Sequence, residues 1–205
     1  MSGFHTPYPD YDVLDKWDSP SWNDQTREAV GRRLEEVPPR RFLSEKQWSL
    51  LEAIVARLVP QPDREEPVPI VPWIDDMLHN NHTPGYRYAD MPPMREAWQR
   101  GLDAIDAEAR GRHGKAFEAL PPEEQDALLT DVQHDRVDKS CWGDLPAGGF
   151  FLHHLLKQTV GFYYAHPAAW SEIGFGGPAS PRGYARLGFD ERDSWEAKEV
   201  EPEHA

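Results

Sequence analysis

Nine histidines and a single cysteine are the side chains of this chain best suited to metal or nucleophilic chemistry. His79 and His82 are three residues apart near a predicted helix end, close to Asp75 and Asp76. A metal ion needs three or four convergent ligands, and no His-Glu-x-x-His pattern supplies them. We therefore expect these histidines to be structural or solvated, and we expect no metal site in the chain.

His153 and His154 are neighbours on a predicted helix, and Cys141 lies in the polar stretch before it. Adjacent helical residues point about 100° apart, so the two imidazoles cannot both face one ion. Cys141 has no CxxC partner and no base nearby, and the chain contains no G-x-S-x-G nucleophile motif. The alternative that stays open is a stand-alone metal-dependent enzyme that uses His79, His82 or His153 with neighbouring carboxylates.

A glycine-rich stretch at Gly174–Gly177 superficially resembles a phosphate-binding loop. Dinucleotide-binding loops follow a strand and open a helix, whose N-terminus holds the phosphate. Here a predicted helix precedes the glycines, and Pro178 and Pro181 oppose a helix directly behind them. We therefore expect neither a catalytic residue nor a cofactor site in this chain.

The chain is strongly acidic, because 36 Asp and Glu residues stand against 22 Lys and Arg, a net charge of −14. This charge disfavours nucleic acid and anionic membrane surfaces, which attract basic patches. No run reaches the roughly 18 apolar residues that a membrane span needs. No secretory signal opens the chain, and Arg40-Arg41 resembles a twin-arginine signal only faintly, since charged residues interrupt the stretch that follows. We expect a cytoplasmic location, with the periplasm as the alternative if a partner exports the chain.

The hydrophobic pattern predicts an all-α fold, because apolar residues recur at helical spacing and no segment alternates with period two for long. We predict a compact bundle of five or six helices with irregular, aromatic-rich N- and C-terminal extensions. Ser44 and Gln47 have the spacing of a capping box at the start of the clearest helix. A longer helix has a predicted buried face of Met94, Trp98, Leu102, Ile105 and Ala109. The last helix, from about Leu145 to Ala165, has a predicted inner face of Leu152, Leu155, Leu156, Thr159 and Tyr163.

We predict three regions along the chain. They are an acidic, aromatic arm with a short helix at 1–41, a helical domain at 42–189 and a charged tail at 190–205. Trp22 and Trp170 belong to the aromatic-rich ends and lie outside the amphipathic stripes. Such aromatics either pack on the chain's own helices or contact another subunit, because large exposed apolar patches mark interfaces. The pattern leaves both interpretations open.

An ordered series of short motifs runs through the middle and end of the chain. In order they are Arg57-Leu58-Val59-Pro60, Trp73-Ile74-Asp75, Gly101–Arg110, Phe117–Pro121, Gln125–Leu129, Gly161–Pro167 and Ile173–Pro178. Together the motifs resemble the gluconate 2-dehydrogenase subunit 3 family, the small or gamma subunit of flavin-dependent sugar dehydrogenases. The resemblance covers roughly residues 42–189.

This resemblance implies an accessory subunit that does no catalysis itself. In such complexes a large flavoprotein of the glucose-methanol-choline type holds FAD and oxidises a sugar, sugar acid or glycoside, and a c-type cytochrome often takes the electrons. The small subunit supports the folding and stability of the large one and often carries a twin-arginine signal, which we do not expect in this chain. The residues that we expect to contact the partner are Tyr163, Tyr164, His166, Trp170, Phe175, Pro178, Arg182 and Tyr184.

Overall fold

The computed structural model describes residues 6–61, 64–83, 85, 88–179, 183, 188, 191 and 193–200. In chain order its helical elements are a 3₁₀ turn at Val13–Lys16, α1 (Asp24–Glu35), α2 (Glu45–Leu58), α3 (Ile70–His79), α4 (Met94–His113), a 3₁₀ turn at Phe117–Ala119, α5 (Pro122–Gln133), α6 (Lys139–Trp142), α7 (Ala147–Phe150), a π-helical segment at Phe151–Leu156, α8 (Lys157–Ala165), α9 (Pro167–Trp170) and a 3₁₀ turn at Ser171–Ile173.

The predicted all-α class is confirmed, because no strand occurs in the part of the chain that the structure describes. The helical segments outnumber the five or six predicted, since α6, α7 and α9 are single turns of four residues. Within the described ranges, no helix has the length and apolar character needed to cross a bilayer.

The chain divides into two compact units. The terminal unit comprises Met1–Glu36 and Tyr164–Ala205, and the central unit comprises Val37–Tyr163. The terminal unit holds α1, α9 and the 3₁₀ turns beside them, whereas α2 to α7 and the π segment belong to the central unit. The three predicted regions were drawn from composition and resemblance, and their boundaries stay predictions.

The central unit confirms two local predictions. The Gln47 backbone N–H donates to Ser44 Oγ (3.2 Å), and the Ser44 N–H donates to Gln47 Oε1 (3.2 Å), so the capping box begins α2 as expected. Helix α4 buries all five residues of its predicted inner face. It ends at His113, and the next residue, Gly114, has a φ of 68°, the left-handed conformation that glycine adopts readily.

The predicted inner face of the last helix is wrong at Leu152, which is 54% exposed. Phe151 is buried in its place, followed by Leu155, Thr159 and Tyr163 at a regular spacing of four residues. A π-helical turn contains more residues than the about 3.6 of an α-helix, so the π segment rotates the inner face by one residue. A sequence pattern read with the α-helical period therefore misplaces Leu152.

Candidate partner-contact surface

Two motifs that carried the resemblance meet in the central unit through an ion pair. Arg57 Nε–H donates to Asp126 Oδ1 and Arg57 Nη2–H donates to Asp126 Oδ2, both at 2.7 Å. The hydrogen bond from Arg57 holds the pKa of Asp126 below its usual range. This bidentate pair joins α2 to α5 and has a structural role.

Asp75, from a third motif, is fully buried and anchors the segment that leads into α2. Its carboxylate accepts hydrogen bonds from the backbone N–H groups of Arg41 (2.6 Å), Phe42 (3.1 Å) and Leu43 (2.7 Å). Its neighbour Asp76 forms an ion pair with Arg41. Both carboxylates near His79, which only the alternative of a metal-dependent enzyme would use, thus have structural partners.

Asp106, on the buried side of α4, is also paired. Oδ2 accepts from Lys46 Nζ (2.5 Å) and Arg110 Nε (2.9 Å), whereas Oδ1 is enclosed without a hydrogen-bond partner among the described residues. Burial raises the pKa of Asp106, but the hydrogen bonds from Arg110 and Lys46 outweigh it, and the pKa lies below its usual range. Asp106 is therefore charged at neutral pH and ties α2 to α4.

Gly101, which belongs to the Gly101–Arg110 motif, occupies a position that has no room for a side chain. A Cβ at this position would lie 2.4 Å from the ring of Phe150, closer than real Cβ contacts permit. Phe150 is fully buried and meets Trp98 edge-on, with ring centroids 5.8 Å apart. The glycine lets α4 and the aromatic ring of α7 approach closely. Like the ion pairs, this motif position serves packing.

The aromatic ends of the chain pack on each other within the terminal unit. Trp170 of α9 is buried in one apolar cluster with Val13, Trp22 and Val30. Its indole N–H donates to the Tyr164 carbonyl (2.8 Å), which satisfies the buried donor. The chain's own N-terminal segment thus covers Trp170, so for this residue the self-packing interpretation holds.

The glycine-rich stretch after α9 bends back onto aromatic rings. Gly174 and Gly177 have φ values of 63° and 66°, which side chains rarely adopt. A Cβ at Gly174 would lie 2.6 Å from the Tyr8 ring, and one at Gly177 would lie 3.0 Å from Trp170 and 3.2 Å from Trp22. These glycines serve turn geometry and close ring contact.

Hydrogen bonds from the N-terminal segment hold the same stretch. The Val13 backbone N–H donates to Ser171 Oγ (3.0 Å), and the buried Lys16 ammonium donates to the Gly176 carbonyl. Burial lowers the pKa of Lys16, and the negative charge of Glu196 opposes that effect. Residues 171–177 are thereby a well-supported loop.

The eight expected contact residues differ widely in their accessibility. Tyr163 and Trp170 are buried, and His166 is nearly so; its Nδ1 accepts from the Ala168 N–H (3.3 Å) and caps α9. Pro178 is half-buried, whereas Tyr164 is 37% exposed and Phe175 is 42% exposed. The remaining two, Arg182 and Tyr184, lie outside the described residues.

Two exposed aromatic residues contact the buried Trp170. The Phe175 ring meets Trp170 edge-on at 5.5 Å, and Tyr164 supplies the carbonyl that Trp170 binds. Ile173, on the 3₁₀ turn between them in sequence, is 45% exposed and was missed by the sequence analysis. The only sequence feature that could have indicated Ile173 is that it is an apolar residue beside a glycine-rich loop. We call Tyr164, Ile173 and Phe175 the outer patch.

The described residues do not gather three His, Cys, Asp or Glu side chains into a possible metal centre. Cys141 is half-buried, and burial raises the pKa of its thiol, which disfavours the nucleophilic thiolate. Among the described residues, neither observation indicates a metal-dependent or cysteine-based reaction.

Comparison with known families gives one finding. Residues 45–177 match the family described as gluconate 2-dehydrogenase subunit 3. This range contains most of the central unit and, in the terminal unit, α9 with the loop behind it. Neither the search of curated proteins nor that of solved structures gives a match.

Proposed function

The chain belongs to the gluconate 2-dehydrogenase subunit 3 family, and from this membership we propose that it is the accessory subunit of an FAD-dependent dehydrogenase. Its partner is a flavoprotein of the glucose-methanol-choline type that oxidises sugars, sugar acids or glycosides. FAD belongs to that partner, and a c-type cytochrome is the proposed electron acceptor. The proposed location is the cytoplasm, or the periplasm if the partner complex is exported.

The proposed mechanism is binding. A partner that binds only the folded flavoprotein stabilises it, by about 2.7 kcal/mol when its concentration is a hundred times the Kd. The family match is the observation that carries the proposal. The occupied carboxylates Asp75 and Asp106 support it, because they hold helices together with bonds that a catalytic carboxylate would need free.

The outer patch supports a location for the contact. Tyr164, Ile173 and Phe175 present half-exposed apolar surface, and the Trp170 cluster holds the loop beneath them. Aromatic side chains on a rigid support dominate binding energies, because little conformational entropy is lost when they are buried. We place the centre of the interface on these three residues.

Co-expression with a glucose-methanol-choline type flavoprotein from the same organism tests the function. We expect the two chains to co-purify with FAD on the flavoprotein, and we expect the flavoprotein alone to be poorly soluble. If the two chains stay separate and the flavoprotein is equally soluble alone, the accessory role is wrong.

Substitutions in the outer patch test the location. Ile173→Ser combined with Phe175→Ser should weaken the complex at least about tenfold, because each interface anchor contributes on the order of 2 kcal/mol. Val37→Ser is the matched control, since Val37 is an exposed valine of the central unit. Competition between each variant and the wild-type chain for co-expressed flavoprotein measures the relative affinity, and the unfolding temperature of each free variant shows that it is folded. Ile173→Ser alone avoids disturbing the ring contact of Phe175 with Trp170. Unchanged affinity in both patch variants would show that the interface lies at another surface of the chain.

A further inference from the structure

The central unit contains a cavity of about 340 Å³ that the accessory role leaves unexplained. It lies beside the π segment, between the start of α8, the residues that follow α3 and the start of α4. Small-molecule sites have volumes of roughly 300–1,000 Å³, so one compact ligand fits. π-Helical turns occur frequently at functional sites.

The lining combines apolar and polar groups, and none of its described residues carries a carboxylate. Eleven described residues form it, and eleven residues drawn at this chain's average composition would include about two acidic ones. It carries the Lys157 ammonium and the imidazoles of His153 and His154 instead. Asn81, Thr83, Tyr88 and Gln158 add amide and hydroxyl groups. In a chain of net charge −14, a lining whose described charged groups are cationic favours an anion over a cation.

The two histidines hold defined positions at the cavity. The His153 ring stacks on Tyr88, with centroids 3.7 Å apart and planes 13° from parallel. His154 Nε2 is enclosed and has no hydrogen-bond partner among the described residues. Burial, followed by the positive charges of His153 and Lys157, lowers the pKa of His154. His154 is therefore neutral at pH 7, and among the described lining residues the Lys157 ammonium is the fixed positive charge.

We propose that this cavity binds a small hydroxylated carboxylate. The carboxylate lies toward Lys157 and His153, and the hydroxyls pair with the amide and hydroxyl side chains of Asn81, Thr83 and Gln158. One fixed ammonium matches the single charge of a carboxylate better than the double charge of phosphate. The apolar wall of Pro92, Pro93 and Met94 suits a carbon chain. This proposal concerns the isolated chain and does not depend on the flavoprotein.

Titration calorimetry of the full chain at pH 7 with four probes tests the proposal. D-Gluconate and sorbitol have the same carbon number and nearly the same hydroxyls, and differ chiefly by the carboxylate. Acetate tests the carboxylate alone, and inorganic phosphate, a mixture of monoanion and dianion at pH 7, tests a different oxyanion. We expect gluconate to bind at least about tenfold more tightly than each of the other three, since a charge-assisted hydrogen bond and several neutral ones act together.

Charge reversal at one lysine of the cavity and at one lysine outside it gives a matched pair of variants. Lys157→Glu should weaken gluconate binding at least about tenfold, whereas Lys115→Glu, at an exposed lysine outside the lining, should change it less than about twofold. His153→Gln should also weaken binding. The unfolding temperature of each variant confirms that it is folded.

Four results would overturn the proposal. They are no heat of binding with gluconate, equal binding of sorbitol, tighter binding of phosphate, or equal losses in Lys157→Glu and Lys115→Glu. The last result would mean that net charge, rather than the cavity, attracts the anion. None of these results bears on whether the chain binds a flavoprotein.

Discussion

Asp75 and Asp106 show what single acidic residues do in this protein. Both side chains are almost inaccessible, and both are bound by donors from other segments of the chain. Asp75 satisfies three backbone N–H groups of the segment before α2, whereas Asp106 meets two cationic side chains. An unpaired buried charge is strongly unfavourable, so these partners are required for the fold.

The paired carboxylate of Asp106 makes the free energy of unfolding depend on pH in the acidic range. Its pKa in the folded chain lies below its usual value, so it stabilises the fold above the unfolded pKa of about 3.9. The contribution is lost as the pH falls through the lower folded pKa. At pH 7, Asp106→Asn should lower the free energy of unfolding by about 1–3 kcal/mol. This difference from wild type should shrink as the pH falls below about 4.

Asp103→Asn is the control for this prediction, because Asp103 is an exposed carboxylate of the same helix. We expect a change within about 0.5 kcal/mol at every pH. Urea unfolding followed by circular dichroism at a series of pH values measures both variants. A difference for Asp106→Asn that stays constant down to pH 2 would contradict the charge pairing.

At the scale of elements, helix α4 contains two glycines with opposite expected effects. Gly101→Ala would force a methyl group into the Phe150 ring and should destabilise the protein by about 1–3 kcal/mol. Gly111 is exposed, and nothing lies within 4 Å of a Cβ there. Gly111→Ala should therefore stabilise the protein by up to about 1 kcal/mol, because alanine favours the helix. Denaturant unfolding of both variants separates the effect of side-chain packing from that of helix propensity. Stabilisation by both substitutions would contradict the close contact between Gly101 and Phe150.

Elements that depend on local sequence were predicted well. The capping box of α2 forms between residues three apart, and the face of α4 follows the helical period. The π segment was missed because its extra residue per turn is compatible with the same apolar sequence. Phe151 and Leu155 are buried by this segment, and nothing in the local sequence indicates the change of helical period.

At the scale of the whole molecule, the two ends of the chain form one unit around Trp170. Trp170→Ala should destabilise the terminal unit by about 3–5 kcal/mol, because it empties the centre of its apolar cluster. Hydrogen exchange should show faster exchange of the α1 amides and unchanged exchange of the α4 amides. Val200→Ala, at an exposed residue of the same unit, should leave both helices unchanged. Equal loss of protection in α1 and α4 would mean that the two units unfold together.

The sequence alone determined the all-α class, the start of α2, the inner face of α4 and the family. These follow from helical periodicity, from hydrogen bonds between close neighbours and from the order of motifs along the chain. Only the tertiary structure decided that Trp170 is covered by the N-terminal segment, that Arg57 pairs with Asp126 and that His153 stacks on Tyr88 beside a cavity. Each of these contacts joins residues far apart in the chain, and their pairing depends on how the helices pack rather than on any local spacing.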